Sequence, residues 1–254
     1  MTEAILKVAE LRKSFSGVAA VDGMSLEISA NEIHAVIGPN GAGKTTLVSL
    51  LDGAIAPDGG RVEFRGRRIE HLPAHRRAQL GLTRSFQITS IFPEMTVLEN
   101  VALAVQARSG PSYWRLWRPA MADRALVEPA LRYLEQVGLA GQSDRRAGAM
   151  SHGEHRQLEI AMALATEPAL LLLDEPMAGM GADESARMLE LIARLRRDHS
   201  VLLIEHDMDA VFALADRITV MVYGRAIRTG TPDQIRNDPE VRRAYLGDEE
   251  CADA

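Results

Sequence analysis

The chain has 254 residues, of which 46% are hydrophobic, so it can build a sizeable core as one large domain or two small ones. Its formal net charge of -6 argues against nonspecific binding of nucleic acid, because a domain that neutralises phosphates normally carries a basic excess. Cys251 is the only cysteine, which excludes an internal disulfide framework, and no apolar run approaches the roughly 20 residues that span a bilayer.

Short strand-like runs open the chain, among them "ILKVAEL", "MSLEI" and "EIHAVIG", the last of which leads into a glycine-rich turn. From about residue 94 to about residue 165, apolar residues recur at helical spacing, which predicts a helical insert. Beyond it, runs such as "ALLLLD" and "SVLLIEH" alternate with helical segments, a pattern typical of a parallel sheet wrapped by helices. The segment "RNDPEVRRAYLGDEE" is predicted to form a C-terminal helix. The sequence therefore predicts an α/β fold with an inserted α-helical subdomain.

The segment "GPNGAGKT", from Gly38 to Thr45, has the spacing of a phosphate-binding P-loop. A strand-like run precedes it and a helical run follows it, so a glycine-rich turn that matches by chance is the weaker alternative. Backbone N–H groups can wrap a phosphate where side chains are absent, and the helix N-terminus adds the positive end of its dipole. Lys44 is expected to bind the outer phosphates of ATP, and the hydroxyl of Thr45 to complete a Mg²⁺ shell. The candidate ATP-binding residues of this loop are Gly38, Pro39, Asn40, Gly41, Ala42, Gly43, Lys44, Thr45 and Thr46.

Two adjacent acids, Asp174 and Glu175, follow a fully apolar run in "LLLLDEP". The carboxyl end of a strand is where ligands bind in parallel α/β sheets. Neighbouring side chains at a strand end point apart, so Asp174 can hold Mg²⁺ while Glu175 faces the attacking water as a general base. Asp174 could instead cap the next helix, but that alternative leaves Glu175 unexplained.

His206 follows another apolar run, in "LLIEHDM". A lone histidine is more often a surface or capping residue than a functional one. Its strand, however, follows that of Asp174 by one α/β crossover, so the ends of both strands should open onto the same crevice. His206 is therefore a candidate catalytic residue.

The segment "MSHGEHRQLEIA" places two histidines three residues apart around a glutamate. Ser151 and Glu154 have the spacing of a capping box, which predicts a helix start with N–H groups near Gly153 that can face an anion. A metal site formed by His152, Glu154 and His155 is the alternative. It is weak, because no further His or Cys lies nearby in sequence to complete the ligands and their second shell.

The chain resembles the nucleotide-binding subunit of ABC transporters in the order of its motifs. A P-loop comes first, then "LLLLDEP" and then "EHD", with a helical insert between the first two. The resemblance covers essentially the whole chain. It implies a single ABC ATPase domain over residues 1–254, with a P-loop NTPase core that contains a RecA-like mixed sheet and an antiparallel β subdomain. The implied nucleotide-binding core comprises residues 1–86 and 167–254, and residues 87–166 form the inserted helical signature subdomain.

The resemblance also implies roles for two residues outside these motifs. Gln87, in "SFQ", matches the glutamine that links the nucleotide to the membrane partner in this family. Phe15, in "KSFSGVAAVDG", matches the aromatic residue that stacks on adenine, and an ordinary core aromatic is the alternative. The implied catalytic residues are thus Glu175, His206, Gln87 and Lys44, and the implied Mg²⁺ ligands are Thr45, Gln87 and Asp174.

The segment "MSHGE" occupies the slot of the family's signature, commonly written L-S-G-G-Q. In this family a nucleotide lies between the P-loop of one subunit and the signature of its partner. The implied contacts to the partner's ATP are Ser151, His152, Gly153 and Glu154. His152 replaces the first signature glycine, so it either touches that nucleotide or only fills the room of the glycine. Gly181 stands where the family usually has an Asp or Asn that contacts the partner, which suggests pairing with a different ATPase subunit and unequal composite sites.

Within the family, the chain most resembles the ATP-binding subunits of branched-chain amino-acid importers. The likeness rests on "IFPEMTVLENV", on the insert around "SYWRLWRPA" and on the ending "GTPDQIRNDPEVRRAYLG". Importers of urea or amides and the ATPase of lipopolysaccharide export are the alternatives, and a soluble ABC ATPase without membrane partners fits less well. The implied partners are a second ATPase subunit in a head-to-tail dimer, two integral membrane permease subunits and, indirectly, a periplasmic binding protein, but no nucleic acid.

The implied location is the cytoplasmic face of the bacterial inner membrane, as a peripheral subunit. It agrees with the start of the chain, "MTEAILKVAE", which lacks the apolar core of a secretory signal. Residues 86–97 are expected to form the groove that receives a short cytoplasmic helix of the membrane subunit. Trp114 and Trp117 either face the membrane or the partner, or belong to a surface loop that packs on its own helices.

Overall fold

The computed structural model describes residues 4–85, 91–108 and 123–246, and two sheets organise them. The strands of the smaller sheet are β1 (Ala4–Phe15), β2 (Val18–Ser29), β4 (Gly59–Phe64) and β5 (Arg67–Arg68). Their order is β2-β1-β4-β5, and all their pairings are antiparallel. This sheet is the antiparallel β subdomain that the family resemblance implies.

The larger sheet consists of β3 (Ile33–Ile37), β6 (Leu82–Arg84), β7 (Leu170–Asp174), β8 (Ser200–Ile204), β9 (Arg217–Val222) and β10 (Arg225–Gly230). Its order is β10-β9-β3-β8-β7-β6, and only the pairing of β9 with β10 is antiparallel. All residues of β3, β7 and β8 are buried, which explains their continuous apolar runs. The carboxyl ends of these three strands meet at one edge, so the segments that follow them lie side by side.

Helices cover both faces of the larger sheet. They are α1 (Lys44–Asp52), α2 (Ala74–Gln79), α3 (Val97–Arg108), α4 (Arg124–Gln136), α5 (His152–Leu164), α6 (Ala182–Leu195), α7 (Met208–Leu214), α8 (Pro232–Arg236) and α9 (Pro239–Val241). Leu171 and Leu173 of β7 pack into a core shared with α3 to α6, whereas Leu170 and Leu172 pack into a core shared with α1 and the smaller sheet. None of the helices in the described ranges has the length and hydropathy needed to cross a bilayer.

The predicted order of elements is confirmed, with a few differences. The short helices α2 and α8 and the strands β5 and β10 were not predicted from the sequence. The predicted C-terminal helix begins later than expected, because Asp238 caps its start by accepting the N–H groups of Glu240 (2.8 Å) and Val241 (3.2 Å). A π-helical turn, Arg242–Leu246, follows it. The helices α3, α4 and α5 pack together, but the exact limits of the predicted helical subdomain stay a prediction.

Arg77, on α2, is a buried arginine that binds the C-terminal end of α1. Its guanidinium donates to the carbonyl oxygens of Leu50 (2.6 Å), Leu51 (2.8 Å), Leu72 (2.9 Å) and Glu70 (3.1 Å). The first two are among the carbonyl groups that a helix end leaves unpaired, and a cation there also meets the negative end of the helix dipole. Arg77 therefore holds in place the helix whose other end carries the P-loop.

Replacing Arg77 with Met should lower the free energy of unfolding by about 3 kcal/mol, because buried carbonyl groups lose their donor. In a chain of this size, that change lowers the melting temperature by roughly 6 to 12 °C, which calorimetry would measure. The matched control is Arg76→Met, since Arg76 is exposed and its side chain bonds to that of Gln79. Equal melting temperatures of the two variants would contradict this role of Arg77.

Candidate functional site

The loop between β3 and α1 contains two glycines that close packing requires. A Cβ on Gly38 would lie 2.0 Å from the carbonyl oxygen of Met221 on β9, and one on Gly43 would lie 2.1 Å from that of Ala20 on β2. Gly43 also has a φ of 101°, in the left-handed region that residues with side chains rarely adopt. The loop can therefore rest on β2 and β9 only with glycine at these positions.

Lys44 is the first residue of α1, and its ammonium group bends back over the loop. Nζ donates to the carbonyl oxygens of Gly38 at 2.6 Å and Pro39 at 3.0 Å. Burial lowers the pKa of this ammonium group, and the nearby carboxylates of Glu175 and Asp174 oppose the shift. The positive charge of Lys44 is thus placed between the loop and the two acids.

A cleft of about 250 Å³ opens beside the loop. It is lined by Ala20, Asn40, Gly41, Ala42, Gly43, Lys44, Thr45, Thr46 and Glu175. Most of the predicted P-loop residues are therefore gathered around one cleft together with a predicted catalytic acid. Gly38 and Pro39 do not line it, but their carbonyl oxygens bind Lys44.

Phe15 lies at the end of β1 and is 48% exposed, so the alternative of an ordinary core aromatic is wrong. It pairs across the hairpin with Val18, which is 70% exposed. The ammonium group of Lys13 lies 5.6 Å from the centroid of the Phe15 ring. Phe15 does not line the cleft, although Ala20 of the same hairpin does. An exposed apolar pair of this kind can stack against a flat ring.

Asp174 lies at the end of β7, buried beside an arginine that the sequence analysis did not identify. Nη2 of Arg84, the last residue of β6, is 2.7 Å from Oδ2 of Asp174. Burial raises the pKa of Asp174, and the guanidinium of Arg84 opposes that rise. Oδ1 of Asp174 is buried and has no hydrogen-bond partner among the described residues. This oxygen and the exposed Thr45 in the cleft are the kind of oxygen ligands that Mg²⁺ takes.

Glu175 has a φ of 49°, a left-handed conformation that is uncommon for a residue with a side chain. Its N–H donates to the carbonyl oxygen of Ile204 at 2.9 Å, which extends the pairing of β7 with β8. Such conformations cost on the order of 1–3 kcal/mol and are concentrated at functional sites. The side chain of Glu175 lines the cleft, whereas Asp174 stays buried. The next helix is capped by Gly181, so the alternative that Asp174 caps it is wrong.

The end of β8 contributes a buried carboxylate as well as the exposed His206. Glu205 accepts the N–H groups of Met177 at 3.0 Å and of His206 at 3.2 Å. Burial raises the pKa of Glu205. Glu205 thus connects the turn after Glu175 with the turn that carries His206. Glu205 was not predicted as a functional residue, although an acid directly after four apolar strand residues was a signal for it.

Ser151 caps α5, as predicted. Its hydroxyl accepts the N–H of Glu154 at 3.3 Å, and the carboxylate of Glu154 accepts the N–H of Ser151 at 2.7 Å, which completes the capping box. Arg145 donates to both carboxylate oxygens of Glu154, at 3.1 and 3.0 Å. The start of α5 is therefore held in a defined orientation.

Three of the four predicted signature residues line a cavity of their own, and His152 does not. Ser151, Gly153 and Glu154 line a cavity of about 110 Å³ between α5 and α6, which shares no residue with the P-loop cleft. Glu184 of α6 also lines it, and a Cβ on Gly153 would lie 2.7 Å from its Oε1. The P-loop cleft and this cavity are therefore lined by separate sets of residues.

The two histidines of this segment bind backbone carbonyl groups. Nε2 of His152 is 3.2 Å from the carbonyl oxygen of Ala178, in the turn after Glu175, and Nε2 of His155 is 2.8 Å from that of Ala147. Within the described ranges, no group of three or more His, Cys, Asp or Glu side chains is arranged to hold a metal ion. The alternative of a metal site at this segment is therefore wrong. The predicted contact of His152 with a partner's nucleotide stays a prediction.

Some predicted residues lie outside the described residues, namely Gln87, Phe86 of the expected groove and the segment that contains Trp114 and Trp117. Gly181 is described, and it is the N-cap of α6 without a side chain that could accept the free N–H groups. Its predicted effect on contacts between subunits stays a prediction.

Known proteins are similar to this chain in sequence and in fold. The family described as ABC transporter matches residues 21–178, and the family described as branched-chain amino acid ATP-binding cassette transporter matches residues 229–251. The high-affinity branched-chain amino acid transport ATP-binding protein LivG of Escherichia coli (strain K12) is 42% identical over 98% of this chain and 100% of its own length. The corresponding protein BraF of Pseudomonas aeruginosa is 41% identical over the same shares. The lipopolysaccharide export system ATP-binding protein LptB of Haemophilus influenzae is 35% identical over 96% of this chain and 98% of its own.

Two crystal structures of an ATP-binding cassette from an ABC transporter have the same fold, each at 32% sequence identity. The nucleotide-free form has a TM-score of 0.85 and covers 96% of this chain and 99% of its own. The ADP conformation has a TM-score of 0.86 and covers 97% of this chain and 100% of its own. The ABC transporter match spans more than half of the chain and contains both the P-loop and Asp174. The chain therefore belongs to the ABC transporter family, as one of its ATP-binding cassettes.

Proposed function

We propose that this cassette hydrolyses ATP to drive an importer of branched-chain amino acids or related small polar compounds. One observation supports the catalytic assignments most directly. Lys44, Thr45 and Glu175 line one cleft, and the carboxylate of Asp174 lies close enough to Lys44 to influence its pKa. A cation, a hydroxyl group and two acids in this arrangement are what the transfer of a phosphoryl group to water requires.

Each residue has its own task in the proposed reaction. The N–H groups of the loop and the ammonium group of Lys44 bind the outer phosphates of ATP and offset their negative charge. Glu175 orients the attacking water and accepts its proton. His206 donates a hydrogen bond to the γ-phosphate.

Thr45 and Asp174, with Gln87, are proposed to hold Mg²⁺. The unpartnered Oδ1 of Asp174 and the hydroxyl group of Thr45 in the cleft support the first two. When bound, the metal supplies positive charge that offsets the charge developing on the phosphate oxygens.

A second subunit is proposed to complete the ATP site. Ser151 and Gly153 start α5, where free N–H groups and a hydroxyl group suit the γ-phosphate of a nucleotide. These residues lie around a cavity that shares no residue with the P-loop cleft of their own chain. In a head-to-tail pair of ATPase subunits, each signature would complete the cleft of the other subunit.

The proposed cargo comes from the relatives. LivG and BraF are named for high-affinity branched-chain amino acid transport, and the family match at residues 229–251 is described as branched-chain amino acid ATP-binding cassette transporter. LptB, at the lower identity of 35%, makes lipopolysaccharide export the second candidate. In the proposed assembly, the chain binds two permease subunits at the cytoplasmic face of the bacterial inner membrane as a peripheral subunit. A periplasmic binding protein delivers the cargo to those permeases.

The loop before α3 is proposed to contact the membrane subunit. Phe92 is 49% exposed, and Met95 is half-buried beside it. Asn100, which is buried, holds this loop: its Oδ1 accepts the N–H of Phe92 at 2.8 Å, and its Nδ2 donates to the carbonyl oxygen of Phe92 at 3.1 Å. A fixed loop that exposes a phenyl ring suits the apolar face of a docking helix.

Changing Glu175 to Gln should slow ATP hydrolysis by at least about a hundredfold, because the amide cannot accept the proton of the attacking water. ATP binding should remain, so the variant should accumulate as an ATP-bound dimer. Phosphate release and size-exclusion chromatography with ATP would measure the two effects. Glu190→Gln, on the exposed side of α6, is the matched control and should hydrolyse ATP at the unaltered rate. A normal rate in the Glu175 variant would rule out its assigned role.

Changing Phe92 to Asp should uncouple transport from ATP hydrolysis, because a carboxylate would be desolvated under the docking helix. Reconstituted vesicles with the permease subunits would measure cargo uptake, and the isolated subunit would show whether ATP hydrolysis is retained. Leu131→Asp is the control, since Leu131 is 38% exposed and belongs to α4, not to this loop. Unchanged uptake by the Phe92 variant would place the docking groove elsewhere.

Gly181 leads to a prediction about the pairing of subunits. A dimer of this chain alone should hydrolyse ATP slowly and without cooperativity, because an Asp or Asn side chain that would contact the partner is missing. Addition of the second ATPase subunit of the same transporter should raise the rate. Steady-state rates across a range of ATP concentrations would test this, and full cooperative activity of the chain alone would count against unequal subunits.

A further inference from the structure

Arg84 contacts Asp174 but has no role in the proposed reaction. Strand β6 pairs with β7 in parallel, with Arg84 opposite Leu172. Residues two apart on a strand face the same side, so the side chains of Arg84 and Asp174 project from the same face of the sheet. That face packs on α1, since Leu172 and Leu47 of α1 belong to the same core.

The guanidinium of Arg84 bridges two carboxylates. Nη2 is 2.7 Å from Oδ2 of Asp174, and Nη1 is 3.0 Å from Oδ2 of Asp52, the last residue of α1. Nη1 also lies 3.3 Å from Oγ of Ser49. The Asp174 side chain is fully buried, and those of Arg84 and Asp52 are each 14% exposed. Solvent and salt weaken such enclosed pairs much less than exposed ones, so the planar guanidinium keeps both carboxylates in a fixed orientation.

The bridge leaves the two oxygens of Asp174 in different situations. Oδ2 accepts from Arg84, whereas Oδ1 is buried without a hydrogen-bond partner among the described residues. A cation bound by both oxygens would have to lie close to the guanidinium of Arg84, whose positive charge disfavours that arrangement, so Oδ1 is the oxygen left for a cation. Mg²⁺ is satisfied by single oxygens in octahedral geometry, whereas Ca²⁺ takes six to eight ligands and often both oxygens of one carboxylate.

We infer that Arg84 is a positioning residue that keeps Asp174 a single-oxygen ligand and thereby favours Mg²⁺ over Ca²⁺ at the nucleotide site. The inference rests on the proposed place of Asp174 in the metal shell. It goes further by giving two more residues a part in the choice of metal. Arg84 acts by holding Asp174, and Asp52 acts by holding Arg84.

The test measures metal binding directly with Mn²⁺, which takes the same oxygen ligands and is detected by electron paramagnetic resonance. The full chain with saturating ADP is loaded with Mn²⁺, and either Mg²⁺ or Ca²⁺ is added until half of the bound Mn²⁺ is released. For the unaltered protein, the release should need less Mg²⁺ than Ca²⁺. For Arg84→Met, the ratio of the Ca²⁺ concentration to the Mg²⁺ concentration should fall about tenfold. Loss of a contact behind a metal ligand typically costs about 10–100-fold in affinity.

Matched variants separate positioning from folding. Arg12→Met makes the same change at an exposed ion pair with Glu10 and should leave the ratio unaltered. Arg84→Lys and Asp52→Asn should shift the ratio in the same direction by less, and they provide the test if Arg84→Met does not fold. The double variant of Arg84 and Asp52 should match Arg84→Met alone, because Asp52 acts through Arg84. An unaltered ratio in these variants, or an equal loss of affinity for ADP and all three metals, would overturn the inference.

Asp174→Asn distinguishes failure of this inference from failure of the proposed metal site. If this variant binds Mn²⁺ with ADP as tightly as the unaltered protein, Asp174 is not in the metal shell and both proposals fail. If it loses Mn²⁺ while Arg84→Met keeps the unaltered ratio, the metal site stands and only the role of Arg84 fails.

Discussion

The strands β3, β7 and β8 are buried along their whole length, and this burial determines where polar chemistry can lie. An ionisable side chain inside such a strand loses its hydration. This loss costs free energy unless a polar partner takes the place of the water. His34 of β3 meets that condition, since its ring nitrogens lie 2.7 Å from Oε1 of Glu32 and 2.8 Å from Oγ1 of Thr219. Asp174 and His206 instead lie where strands end. The cleft at the carboxyl edge is therefore a consequence of how deeply the sheet is buried.

The P-loop, the adjacent acids and the capping box could be predicted because each is formed by residues that are close in sequence. Ser151 and Glu154 are three residues apart, and their contact needs nothing beyond a helix start. Arg84 and Asp174 are 90 residues apart, and their contact depends on the parallel register of two strands. Arg77 could not be assigned for the same reason, because it binds backbone carbonyl groups of α1, which no local pattern encodes. Glu205 had a local signal, its place directly after an apolar run, but its bond to the N–H of Met177 depends on tertiary structure.

The two departures from the family pattern have different local explanations. His152 replaces a glycine, and its ring finds an acceptor in the carbonyl group of Ala178. Gly181 leaves α6 without a side-chain cap, but Asp183 and Glu184 lie in the first turn of that helix. Negative charges there interact favourably with the positive end of the helix dipole, so the helix does not depend on its cap. The sequence alone could identify both departures but not these compensations.

The bond from His152 to Ala178 connects segments that serve different ATP molecules in the proposed dimer. In that dimer, Ser151 and Gly153, beside His152, would face the nucleotide held by the partner, whereas the turn with Ala178 follows Glu175 of the chain's own cleft. Any coupling that this bond carried between the two sites would be reciprocal, so filling either site would change the affinity of the other by the same factor.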